Sequence, residues 1–127
     1  MPLQQRRPEW LKKKIEFDKG RQTSALLNEL GLNTVCREAK CPNISECFKN
    51  AHAAFLILGK YCTRSCAFCN VQKQEPKPPD PDEPRKIAEA VQRMGLKHVV
   101  VTSVTRDDLP DGGAAMFVNT VKEIRKI

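Results

Sequence analysis

Ala53-Ala54-Phe55-Leu56-Ile57-Leu58-Gly59-Lys60-Tyr61-Cys62-Thr63-Arg64-Ser65-Cys66-Ala67-Phe68-Cys69 is an apolar run that breaks at a glycine and opens into a loop bearing three cysteines. The run is too short for three helical turns, so residues 53–58 read as a buried strand. A second, valine-rich run from His98 to Val104 reads the same way. Between them the prolines from Gln74 to Pro84 mark a stiff surface connector, and Pro84 suits the first turn of a helix that Gly95 stops after Met94. Ile87, Ala88, Val91 and Met94 share one face of that helix. Asp111-Gly112-Gly113 is a turn before a final amphipathic helix to about Lys126. Strand, helix, strand, helix in this order implies an α/β fold with parallel strands, whose ligands bind outside the carboxyl ends of the strands. Residues 62–69 and 103–108 both fall at that edge. Two strands do not make a stable parallel sheet covered on both faces, so the domain is expected to be incomplete.

All six cysteines of the 127 residues lie between Cys36 and Cys69, as two triplets of different spacing. Cys36, Cys41 and Cys47 are widely spaced, whereas Cys62, Cys66 and Cys69 are close together. Each triplet is one thiolate short of a four-coordinate site, and a three-ligand iron–sulfur cluster leaves one iron open to chemistry. A disulfide framework is the competing reading. The segment from Met1 to Asp18 is basic and broken by Pro2 and Pro8, and no hydrophobic run follows Arg6-Arg7, so nothing directs export. A reducing cytoplasm is therefore the expected compartment, where clustered cysteines read as metal ligands. Zinc is the second alternative, with His52 as the nearest imidazole, but the paired two-residue gaps of zinc ribbons are missing.

A chain with 40% hydrophobic residues buries one modest core, and no apolar stretch approaches the roughly 20 residues of a membrane helix. The net charge of +7 is spread over both ends, and only Lys12-Lys13-Lys14 forms a run. That distribution reads as a solvated surface as readily as an anion-binding one. Upstream of the first triplet, Trp10, Leu11 and Ile15 are candidates for a docking anchor, and Thr23 or Ser24 for the cap of a short helix ended by Gly31. From Cys36 to Asn50, Pro42 interrupts the helix-forming pieces, so loop and short helical turns around a metal are expected.

Cys62-x-x-x-Cys66-x-Phe68-Cys69 after a strand resembles the signature of radical S-adenosylmethionine enzymes. In that superfamily the open iron chelates the amino and carboxylate groups of the methionine moiety, and cluster reduction yields a 5′-deoxyadenosyl radical. Phe68 matches the aromatic position whose backbone lies near adenine; core packing is its other reading. More of the chain is similar to the lipoyl synthase family. Residues 35–47, from Val35-Cys36-Arg37 to Ser45-Glu46-Cys47, resemble its auxiliary-cluster segment, and residues 55–66 its first strand and radical loop. Residues 102–114, with Arg106-Asp107-Asp108-Leu109 at their centre, resemble its second-strand motif. Phe48, Ala54 and Lys60 depart from the family's usual tryptophan, threonine and small or acidic residues, and none of these removes a ligand.

The resemblance implies an amino-terminal extension with the auxiliary-cluster segment in residues 1–50. Residues 51–127 would then form the first two β/α units of a partial (β/α)6 TIM-like barrel. It implies two 4Fe-4S clusters, one on Cys36, Cys41 and Cys47 and one on Cys62, Cys66 and Cys69, with S-adenosyl-L-methionine on the second. It further implies insertion of two sulfur atoms at carbons 6 and 8 of an octanoyl group, with the first cluster as sulfur donor. The partners would be an octanoylated lipoyl carrier protein or domain and a low-potential electron donor, with neither nucleic acid nor membrane. The family's fourth auxiliary ligand, a serine of an Arg-Ser-Ser motif, has no match here, so the chain is expected to be an amino-terminal portion that does not turn over alone. A methylthiolating two-cluster enzyme and a non-catalytic iron–sulfur or zinc module are the other classes in view. Ser103, Arg106 and Asp107 are candidate cofactor contacts at the second strand's end, with an Arg106–Asp108 surface pair as the alternative. Arg64 either offsets cluster charge or is solvated, and His52 and His98 read as ordinary residues flanking strands.

Overall fold

Phe55, Leu56 and Ile57 are each at most 3% exposed, and the strand they form, β2 (Ala54–Ile57), is the centre of the molecule. The computed structural model describes residues 6–12, 14 and 20–127. β2 pairs in parallel with β3 (Val100–Ser103), with Ala54 opposite Val100 and Ile57 opposite Ser103. Between them runs α4 (Glu83–Met94), and α5 (Ala114–Arg125) follows β3. The strand–helix–strand–helix order and the parallel pairing agree with the sequence, and the architecture is mixed α/β with a small three-stranded sheet. Ile87, Ala90 and Val91 of α4 share one buried core with Phe55, Leu56 and Ile57 of β2. Pro84 sits in its first turn, and Gly95 ends it in the left-handed conformation at φ 65°.

The sheet has one strand that the sequence did not announce. β1 (Asn33–Thr34) pairs antiparallel with β2, Thr34 opposite Phe55, so the order is β1-β2-β3. Two residues are too few to show an alternating pattern. Thr34 then accepts the Arg37 N–H at 3.2 Å and so caps α2 (Val35–Glu38). After a turn comes α3 (Ile44–Lys49), so the first triplet is indeed carried by short helices and a loop.

Two expectations upstream need correction. α1 (Arg21–Leu30) starts after Gly20, not at Thr23 or Ser24, although Gly31 ends it as expected. The Thr23 hydroxyl is buried and donates to the Phe48 carbonyl at 2.9 Å, so a tertiary partner takes the group that would have capped. Trp10 and Leu11, in a single 3-10 turn over Glu9–Leu11, are 77% and 50% exposed and do not dock. Ile15, the third anchor candidate, lies outside the described residues. Arg93 on α4 grips Glu29 on α1 with two hydrogen bonds of 3.2 and 3.0 Å, tying α1 to the first crossover helix.

Candidate functional site

At the carboxyl end of β2 the chain leaves the sheet through Leu58 (φ 69°) and Gly59 (φ 92°) and enters the loop of the second triplet. The loop is fastened to the end of β3 by backbone and side chains together. Thr63 donates its N–H to the Thr105 carbonyl at 3.1 Å, and its hydroxyl reaches the same carbonyl at 2.9 Å. Asp107 accepts from Arg64 Nε at 3.0 Å and Nη2 at 3.1 Å. Cys62 Sγ accepts the Thr105 N–H at 3.3 Å. The loop closes on itself where Cys69 N–H meets the Cys66 carbonyl at 3.2 Å and Lys73 Nζ meets that same oxygen at 3.0 Å.

These contacts set the electrostatics of the loop. Burial pushes the Cys62 thiol up, but backbone donors from Arg64 and Thr105 outweigh it and hold the thiol below its usual range. Arg64 and Thr63 hold the Asp107 carboxyl below the ordinary carboxylate range, and Asp107 in turn keeps Arg64 charged. Arg64 is therefore neither freely solvated nor aimed only at the cysteines. Phe68 is 93% exposed, which removes the core-packing reading of that residue. Ser103 ends β3 opposite Ile57, at the same edge. Arg106 is only 2% exposed and points inward, bonding Leu58 O at 2.9 Å and Asp108 with two bonds of 3.0 and 2.9 Å. Its guanidinium is thus occupied behind the loop, and the pair it forms with Asp108 is anchored by a buried arginine.

The first triplet is held at the other end of the strands. Cys41 N–H donates to the Cys36 carbonyl at 3.0 Å, and His52 N–H to the Cys47 carbonyl at 2.7 Å. Burial first, then the neighbouring Cys36, Cys41 and Glu46, push the Cys47 thiol up. Cys36 and Cys47 line a largely apolar cleft of about 360 Å³ with Ala53, Ala54 and Val100, the amino ends of β2 and β3. His52 and His98 line it too, each two residues before a strand, as the sequence placed them. Asn70 Nδ2 to the Ala39 carbonyl, at 3.4 Å, ties the two cysteine segments together.

All six cysteines are free thiols, and none is fully buried. Among the described residues, no three His, Cys, Asp or Glu side chains are gathered closely enough to hold a single metal ion. Thiolates of a cube each grip a different iron, so soft donors spread around a loop suit a cluster in kind. No helix among the described residues is long and apolar enough to cross a membrane. Sequence reasoning missed Glu83 and Lys73, which no motif marks, and gave Thr105, inside the 102–114 stretch, no role of its own; the partners of Glu83 and Thr105 are fixed by tertiary folding.

A thiol-bearing loop at the carboxyl edge of parallel strands defines the class. Residues 56–127, more than half of the chain, match the Radical SAM superfamily, and the chain belongs to it. Within that class, the chain is 61% identical over 122 residues to a lipoyl synthase of Geobacter sulfurreducens, covering 96% of the chain and 40% of the relative. It is 54% identical to a lipoyl synthase of Caldanaerobacter subterraneus subsp. tengcongensis, covering 96% of the chain and 43% of the relative. It is 58% identical to a lipoyl synthase of Nitratidesulfovibrio vulgaris, covering 93% and 40%. The chain spans about two-fifths of the length of these curated relatives.

Proposed function

We propose that this chain is the amino-terminal part of a lipoyl synthase, which inserts two sulfur atoms at carbons 6 and 8 of a protein-bound octanoyl group. The observation that carries the reading is the pair of cysteine triplets, one at each end of β2, in a chain 61% identical to a lipoyl synthase. Cys62, Cys66 and Cys69 would hold one 4Fe-4S cluster, and Cys36, Cys41 and Cys47 an auxiliary one. When bound, these groups supply the electron that cleaves S-adenosylmethionine to a carbon radical and the sulfur that the radical chemistry installs. The protein's part is positioning and shielding. Thr63, Arg64 and Asp107 hold the loop against β3, and the Thr105 N–H stabilises negative charge on Cys62. Phe68, Ser103 and Asp107 are the cofactor-facing candidates, with Arg106 acting from behind.

Residues 1–50 form the extension on this reading, and residues 51–127 begin a (β/α)6 barrel. Exposed apolar residues support further barrel units packing beside β3 and α5: Val100 on the edge strand is 51% exposed, and Val118 and Val121 on α5 are 50% and 41%. An octanoylated carrier domain and a low-potential reductant in the cytoplasm complete the proposed system, without nucleic acid or membrane. Anaerobic reconstitution of the complete gene product should bind about eight irons per chain, as two cubes require. With octanoylated carrier, adenosylmethionine and reductant, mass spectrometry should then find 5′-deoxyadenosine and a lipoyl group. Deoxyadenosine without lipoyl product would point to another radical enzyme, and stoichiometric zinc would overturn the cluster reading.

A further inference from the structure

Leu58 is a bulky residue in the left-handed region, at φ 69°, where side chains of its kind are strained. Three contacts hold it there. Its N–H donates to Glu83 Oε1 at 2.8 Å, and its carbonyl accepts from Arg106 Nη1 at 2.9 Å. Its side chain lies on Gly113, where an added Cβ would stand 2.2 Å from Leu58 Cδ1. Glu83 and Arg106 are 6% and 2% exposed, and each comes from a different element: Glu83 from the first turn of α4, Arg106 from just beyond β3.

Charged groups are rarely buried without a specific task, since desolvation costs more than an exposed pair recovers. Here both are directed at the two polar groups of one residue. That residue and Gly59 (φ 92°) turn the chain out of β2 and toward Cys62. We propose that Glu83 and Arg106 are positioning residues that clamp Leu58 from both sides and thereby aim the Cys62–Cys69 loop. The role assigned to the loop rests on the superfamily reading above; the clamp itself is a statement about backbone. Arg106 also holds Asp108, beside the Asp107 that grips Arg64, so one buried arginine links the strand exit to the contact fastening the loop.

Hydrogen–deuterium exchange of the complete, cluster-free protein tests the clamp without any appeal to activity. In Glu83→Ala, exchange across residues 58–69 should accelerate about tenfold, the factor implied by losing a hydrogen bond to a charged acceptor. Glu83→Gln retains an oxygen acceptor and should restore exchange to within about threefold of the parent. Val91→Ala, a cavity on the same helix, should lower the melting temperature and leave exchange at 58–69 unchanged. Unaltered exchange in Glu83→Ala, or an equal rise in Val91→Ala, would overturn the clamp. In the reconstituted protein, the change in the reduced cluster's electron paramagnetic resonance spectrum on adding adenosylmethionine should persist in Glu83→Gln and weaken in Glu83→Ala. A parent without that change would refute the cofactor reading, while the exchange result still decides the clamp.

Discussion

Two carboxylates near the loop respond to pH in opposite senses. Arg64 and Thr63 hold Asp107 below the ordinary carboxylate range, so its contribution to stability is present above the unfolded-state value and fades as pH falls through the folded one. Glu83 is raised, chiefly by burial, with Asp80 adding to the rise and the Leu58 N–H and Lys86 opposing it. A raised carboxylate binds its proton more readily when folded, so its ionisation erodes stability as pH climbs from the unfolded value through the folded one. Comparing unfolding of Glu83→Gln and parent in urea, from about pH 4 to about pH 7, should show the difference moving in favour of the variant as pH rises. A difference moving the other way would mean that the folded protein stabilises the charged carboxylate. Gly113→Ala should be the costliest small change nearby, because φ 93° and the approach of Leu58 both oppose a Cβ. A loss of about 1–3 kcal/mol is expected from overpacking and strain, read as a lower urea midpoint at constant slope.

Among the elements, α4 shows what a local signal can carry. Its two ends are written beside it, in Pro84 and Gly95, and its stripe repeats within one helix, so the sequence defines it within a residue. Ile87→Ala should cost about 2–5 kcal/mol as a core cavity, against little for Arg85→Ala on the exposed face, by denaturant unfolding. The start of α1 was misplaced because the partner of Thr23 is the carbonyl of Phe48, 25 residues away. β1 is legible only through its pairing with Leu56 and Phe55. The same distinction governs the site. Thiols repeat a spacing that can be read along the chain, whereas Glu83 meets Leu58 across 25 residues and Thr105 meets Cys62 across 43.

At the scale of the molecule, the two cysteine triplets lie toward opposite ends of β2. The carboxyl-end set contains Cys62, whose thiol backbone donors lower; the amino-end set contains Cys47, which burial and its neighbours raise. On the proposed reading the two triplets are separate sites, each loaded on its own. Replacing Cys36, Cys41 and Cys47 together by alanine in the complete protein should therefore leave about four irons after anaerobic reconstitution. That variant should still cleave adenosylmethionine to 5′-deoxyadenosine, and it should install no sulfur. Replacing Cys62, Cys66 and Cys69 should also leave about four irons, but abolish cleavage. Iron analysis and mass spectrometry of both variants measure each outcome separately. Loss of nearly all iron in either variant would show that the sites fold as one, and cleavage surviving the second variant would exclude the 62–69 loop as the source of the radical.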